Sequence, residues 1–186
     1  DGVSFGESQV DVGGPGEADA NVVRDNARVG VLFSGMTAGI IWMNEAANNG
    51  QNAKGAGIWL QHGAGSAAGG VDIQGNDITA NGFAGIAMGP ESTASITGNT
   101  ISDTREGAVF GDMWNNSGSV GDGIALCSGS SATVSGNALV GNFRSGILAD
   151  AVVGEATSIT DNSYEGNGDG TDLSQLLMQH LVNGMP

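Results

Sequence analysis

A repeat restricts the fold of this chain more than any other feature. In the stretch Val134-Ser135-Gly136-Asn137-Ala138-Leu139-Val140-Gly141-Asn142-Phe143-Arg144-Ser145-Gly146-Ile147, apolar residues stand three before the first Asn and two after it. A second Asn stands five after it and a Gly nine after it. The same frame places Asn21, Asn44, Asn76, Asn99, Asn137 and Asn162 in one column, and Asn26, Asn49, Asn81, Thr104, Asn142 and Asn167 in a second. Ala18, Ile41, Ile73, Ile96, Val134 and Ile159 occupy the position three before. Val23, Ala46, Ile78, Ile101, Leu139 and Tyr164 occupy the position two after. The step from Asn21 to Asn44, and from Asn76 to Asn99, is 23 residues, and longer steps carry insertions. Self-similarity at such a period is the signature of a solenoid.

Each repeat holds three short apolar segments alternating with period two, which predicts strands. Gly and Asn fill the corners, where positive φ and side-chain bonds to the backbone are needed. A column of Asn side chains can bond the coils above and below and satisfy turn groups that would otherwise be buried unpaired. The expected fold is all-β: a right-handed, single-stranded parallel β-helix of about six coils of ~23 residues.

With those residues in hand, about residues 15–168 resemble the right-handed parallel β-helix repeats of the pectin-lyase-like superfamily. The resemblance implies an extracellular or cell-surface setting. It also implies a polysaccharide ligand, handled by a lyase, a hydrolase or a protein with no catalysis. Fold alone does not choose among these.

The expected domain runs over 1–170, with 1–20 as a partial N-terminal coil and 107–122 as an inserted loop. Residues 171–186 are expected to form a C-terminal capping helix and tail. Thr171 or Asp172 serves as its N-cap, Gly184 as C′, and Leu173, Leu176, Leu177, His180 and Leu181 share one face. The chain opens on Asp1 without an initiator Met, as a processed or excised piece would. An uncovered first coil would expose strand edges that invite pairing with another chain or a longer parent chain. The stretch 63–70, rich in Gly and Ala, is expected to be a flexible loop.

Charge narrows the partners. Lys plus Arg is 5 and Asp plus Glu is 20, a net charge of −15. Phosphate binding needs clustered cations, so nucleic acid is excluded as an expected partner, and an anionic membrane surface with it. No apolar run is long enough to insert across a bilayer. Cys127 is the single cysteine, so no intrachain disulfide forms. No phosphate loop or nucleotide fingerprint is present, and His62 and His180 lack the spaced partners of a zinc site.

The placement of the cations is the sharpest functional signal. Arg28, Lys54, Arg105 and Arg144, four of the five, fall between the second Asn column and the Gly strand. Equal register in a solenoid means one edge, which could bind carboxylate or sulfate bidentately. The competing reading is that these cations neutralise neighbours such as Asp25, Asp103 and Glu106. Phe83 shares the Arg28 and Arg144 register. Trp59 is a candidate sugar platform, and the insertion carrying Trp114, a further candidate ligand-binding side chain, leaves from the same edge.

A second feature is the outward stripe Leu32, Trp59, Ala87, Ala125 and Leu148 on the Gly strands. It reads either as a contact surface for self-association or as a face covered by an inserted loop. Hydrolysis needs two carboxylates, for which Asp112 and Asp122 flank the inserted loop. Gly121-Asp122-Gly123-Ile124 faintly resembles a polygalacturonase segment, without its doubled Asp. A lyase needs a proton acceptor, for which Arg105 and Arg144 are the candidates. Glu165, Asn167, Asp169 and Gly170 mimic the first ligands of a calcium loop, with Leu176 where the closing Glu belongs. Otherwise no cofactor is expected. The rival to a sugar-binding and sugar-cleaving module is a structural or adhesive protein that stacks through its apolar stripe and its first coil.

Overall fold

The computed structural model describes residues 1–51, 55–66, 69–107, 120–149, 153 and 156–168. Eighteen strands wind as six coils of three. The first coil holds β1 (Val3–Gly6), β2 (Gln9–Gly13) and β3 (Val22–Arg24). The second holds β4 (Val31–Ser34), β5 (Ala38–Trp42) and β6 (Glu45–Ala47). The third holds β7 (Ala56–Leu60), β8 (Val71–Gln74) and β9 (Asp77–Thr79), and the fourth β10 (Ala84–Met88), β11 (Thr93–Thr97) and β12 (Thr100–Ser102). The fifth holds β13 (Asp122–Leu126), β14 (Ser131–Ser135) and β15 (Ala138–Val140), and the sixth β16 (Ser145–Ala149), β17 (Ser158–Thr160) and β18 (Ser163–Glu165). Equivalent strands pair in parallel into three six-stranded sheets. The expected parallel β-helix of six coils is the observed architecture. The expected capping helix over 171–186 lies outside the described residues.

Residues 1–20, expected as a partial coil, supply β1 and β2 and so complete the first coil with β3. The apolar column beside Ile41 therefore begins at Val12 rather than Ala18, because Val12 pairs with Ile41. The short 3-10 turn Glu17–Asp19 lies between Val12 and Asn21, which breaks the count there.

Inside the tube each sheet contributes stacked columns. The register of the second sheet stacks Ile41, Ile73, Ile96, Val134 and Ile159, and that of the third stacks Ala46, Ile78, Ile101, Leu139 and Tyr164. Val31, Ile58, Ile86, Ile124 and Ile147 do the same on the first sheet. Apolar side chains stacked on apolar side chains fill the interior, which is why a period-two pattern suffices as a core.

The Asn columns tie the coils together. Asn76 donates its backbone N–H and its Nδ2 to Asn99 Oδ1, both at 2.9 Å, and its Nδ2 also donates to Ile41 O at 2.8 Å. Asn99 repeats this toward Asn137 at 3.0 and 2.9 Å, and Asn137 toward Asn162 at 3.0 and 2.9 Å. The second column runs Asn26 to Asn49 to Asn81, and Thr104 to Asn142 to Asn167. From Asn26 onward the residue before a column Asn takes positive φ, as Gly75 (62°), Gly98 (63°), Gly136 (66°) and Gly141 (62°) do. Left-handed backbone suits Gly best, and this explains the recurring Gly-Asn dipeptide.

The stretch after β7 differs from the expected flexible loop. Ala64 is fully buried in the core. Gly65 N donates to Thr37 O at 2.8 Å, and Ala64 O accepts from Thr93 N at 2.9 Å. The loop thus carries the hydrogen bonding of the second sheet across one corner.

Candidate functional site

The corner between the third and first sheets carries the cations. Arg28 follows β3, Arg105 follows β12 and Arg144 follows β15, and each precedes a strand of the first sheet. The shared edge expected from register is therefore present. Lys54 falls outside the described residues, as do Asp112 and Trp114.

The three arginines are held differently. Arg144 clamps Asp122 with both arms of its guanidinium, Nε to Oδ1 at 3.0 Å and NH2 to Oδ2 at 2.5 Å. Ser145 Oγ donates to the same Oδ1 at 2.6 Å. Asp122 opens β13 with 0% of its surface exposed, between Ala84 and Ser145 in the outward column. A buried carboxylate needs such a partner set, since an isolated one would pay a large desolvation penalty. Arg28 Nε lies 3.4 Å from Asp1 Oδ1, at a half-exposed position. Arg105 is exposed, and its NH2 donates to Asn49 O at 3.3 Å, two coils back along the edge. Among the described residues it has no carboxylate partner.

These contacts correct two expectations. Asp122 is not placed as a general acid or base, because both its oxygens are taken by Arg144 and Ser145. Arg144 is not a free proton acceptor, because its fork is spent on Asp122. Neutralisation operates at this corner through Asp122, which holds Arg144, and through Asp1, which faces Arg28.

The apolar stripe is in register as expected, Leu32 beside Trp59, Ala87, Ala125 and Leu148. It is not an open surface. Leu32, Trp59, Ala87 and Ala125 are buried in a second apolar cluster outside the tube, together with Val29, Phe83 and Val120. Trp59 is 4% exposed and Phe83 1%, with ring centroids 5.9 Å apart. Neither offers a sugar a free ring face, which corrects the reading of Trp59 as a platform and of Phe83 as a ligand-binding residue. Val120 belongs to the neck of the inserted loop, where Gly107 and Val120 exchange backbone bonds of 2.8 and 3.0 Å. Sequence reasoning missed Val120 and Ser145. Ser145 was legible as the residue before the Gly-Ile step, directly beside Asp122 in register.

The calcium reading meets a similar obstacle. Asn167 is buried, its Oδ1 accepts from Asn142 N at 3.0 Å and Nδ2 at 2.8 Å, and its own Nδ2 donates to Leu139 O. It serves as the last member of its column, so its oxygen is not open to a metal. Glu165 is exposed on β18, and Asp169 lies outside the described residues.

Comparison with known proteins gave one family. A family model described as a right handed beta helix region matches residues 16–177. No curated protein and no solved structure matches significantly.

Proposed function

Because the chain belongs to the right-handed β-helix family, whose folds often bind or act on polysaccharides, we propose that it is an extracellular or cell-surface module that binds an acidic polysaccharide along the Arg28–Arg105 corner. The observation that carries this reading is the Arg105 guanidinium. In a chain with 20 acidic residues, it stays exposed and without a carboxylate partner among the described residues. Its hold on Asn49 O points the remaining donors at solvent, ready for a carboxylate or sulfate fork. Binding is favoured over cleavage because Asp122 and Arg144 are committed to each other.

The test is affinity electrophoresis of the full chain in gels containing a polyuronate, a sulfated glycan or a neutral glycan. Wild type is expected to be retarded by an anionic polymer, and Arg105→Ala to lose most of that retardation while its thermal midpoint holds. Arg144→Ala is expected to lose about 3 kcal/mol of stability instead, because it strands a buried carboxylate. Retardation unchanged in Arg105→Ala, or absent in wild type, defeats the proposal.

A second reading, self-association, keeps one support. The outer end of the first coil leaves a hollow of about 380 Å³ lined by Val3, Phe5, Val12 and Val23, with Asn21 on its rim. The stripe no longer supports it, being buried.

A further inference from the structure

One rung of the second side-chain column differs from the rest. Asn49 donates its backbone N–H and its Nδ2 to Asn81 Oδ1 at 2.9 and 3.0 Å, and Asn142 donates the same pair to Asn167 Oδ1 at 3.0 and 2.8 Å. Each amide also donates to a main-chain carbonyl of the coil before. Asn49 Nδ2 reaches Val23 O at 3.0 Å, Asn81 Nδ2 reaches Ala46 O at 2.7 Å, and Asn142 Nδ2 reaches Ile101 O at 3.2 Å.

Thr104 holds this position in the fourth coil and has no amide to offer. By register Ile78 corresponds to Ala46 and to Ile101, yet its carbonyl receives no side-chain amide. The Asn81 N–H, which would meet the Oδ1 of an Asn here, makes no hydrogen bond among the described residues. Asn81 Nδ2 keeps its bond to Ala46 O and has a second N–H to spare. Thr104 Oγ1 is buried without a partner among the described residues. Asn81 is 0% exposed and Thr104 2%, so bulk solvent does not reach these groups. Buried N–H groups in folded proteins are nearly always paired, with protein or with ordered water.

We propose that a single water molecule is built into the wall of the tube at this rung. The groups around Thr104 define its chemistry. Asn81 presents two donors, its main-chain N–H and its Nδ2. Ile78 O and Thr104 Oγ1 present acceptors. A molecule that accepts two hydrogen bonds and donates two meets all of them, and that is the bonding capacity of a buried water. An anion has no proton for Ile78 O, and a metal cation has no lone pair for the Asn81 donors. The Thr side chain ends at γ, one bond short of the Oδ1 and Nδ2 that an Asn brings, so the water stands in for both atoms. This site goes beyond the polysaccharide reading and does not rest on it.

The experiment is NMR of the full isotope-labelled chain, reading Overhauser transfer from water to main-chain N–H groups. Wild type is expected to show transfer to the Asn81 N–H, with the sign of a long-lived bound molecule. None is expected at the Asn76 N–H, which donates to Asn99 Oδ1. Thr104→Asn is expected to abolish the transfer, because the amide takes the place of the water. Thr104→Val removes the exchanging hydroxyl, which could relay the signal, and is expected to keep it. No transfer in wild type overturns the proposal, as does its persistence in Thr104→Asn. Its loss in Thr104→Val also overturns it, because the Thr104 hydroxyl would then be the partner of Asn81. Relaxation dispersion of the water oxygen gives an independent count. Its amplitude is expected to fall by one long-lived water between wild type and Thr104→Asn, and equal amplitudes would contradict the proposal.

Discussion

At Thr104 the second column loses a side-chain amide, and with it the group that elsewhere accepts from the coil before and donates to both neighbours. Thr104 N still donates to Asn142 Oδ1 at 3.3 Å, but its Oγ1 is buried without a partner among the described residues. Thr104→Asn restores the missing rung. It is expected to raise stability by about 1 kcal/mol and the thermal midpoint by about 3 °C; a calorimetric midpoint at or below wild type would contradict this. Both columns were legible by counting, Thr104 included, because a side chain that must reach the coils above and below cannot drift in register. The pairing of cations was not. Counting places Arg144 and Asp122 on one corner but says nothing of which way a long side chain turns, and burial of Asp122 decided that. Trp59 was legible as outward, yet outward is not the same as exposed when Phe83 and Val120 pack against it.

At the scale of one strand, the Gly that opens each segment of the first sheet shows how tightly the coil closes. A Cβ on Gly85 would stand 2.4 Å from Ile101 Cγ2 and 2.7 Å from Gly123 O, and one on Gly123 would stand 2.6 Å from Gly146 O. These glycines are required by close approach of the third sheet's core residues and of the next coil's backbone. Gly85→Ala is expected to cost about 3 kcal/mol through overpacking, read as a lower urea midpoint. A variant as stable as wild type would show that the corner can relax. The recurrence of Gly-Val and Gly-Ile made these strands legible. The inserted stretch 63–70 was not, because its Gly and Ala content reads as slack, while its backbone in fact bridges Thr37 and Thr93.

For the molecule as a whole, 20 acidic residues against 5 basic ones leave unbalanced repulsion along the tube. Among the described residues Arg144, Arg28 and Arg24 pair with carboxylates. Salt shortens the reach of the remaining repulsion, with a screening length of ~10 Å at 0.1 M. The thermal midpoint is therefore expected to climb as sodium chloride is raised from low to moderate concentration, and a falling midpoint would mean that attractive pairs dominate. The direction of the Asn columns has one more consequence. Each Asn rung such as Asn76 and Asn99 offers an oxygen to the coil before it and two N–H groups to the coil after it. Any coil is thus an acceptable neighbour for any other, and tandem duplication of one unit would lengthen the rod by ~4.8 Å with no new interface to invent. The protein is in that sense a ruler, whose length can change by gene duplication while its cross-section stays the same.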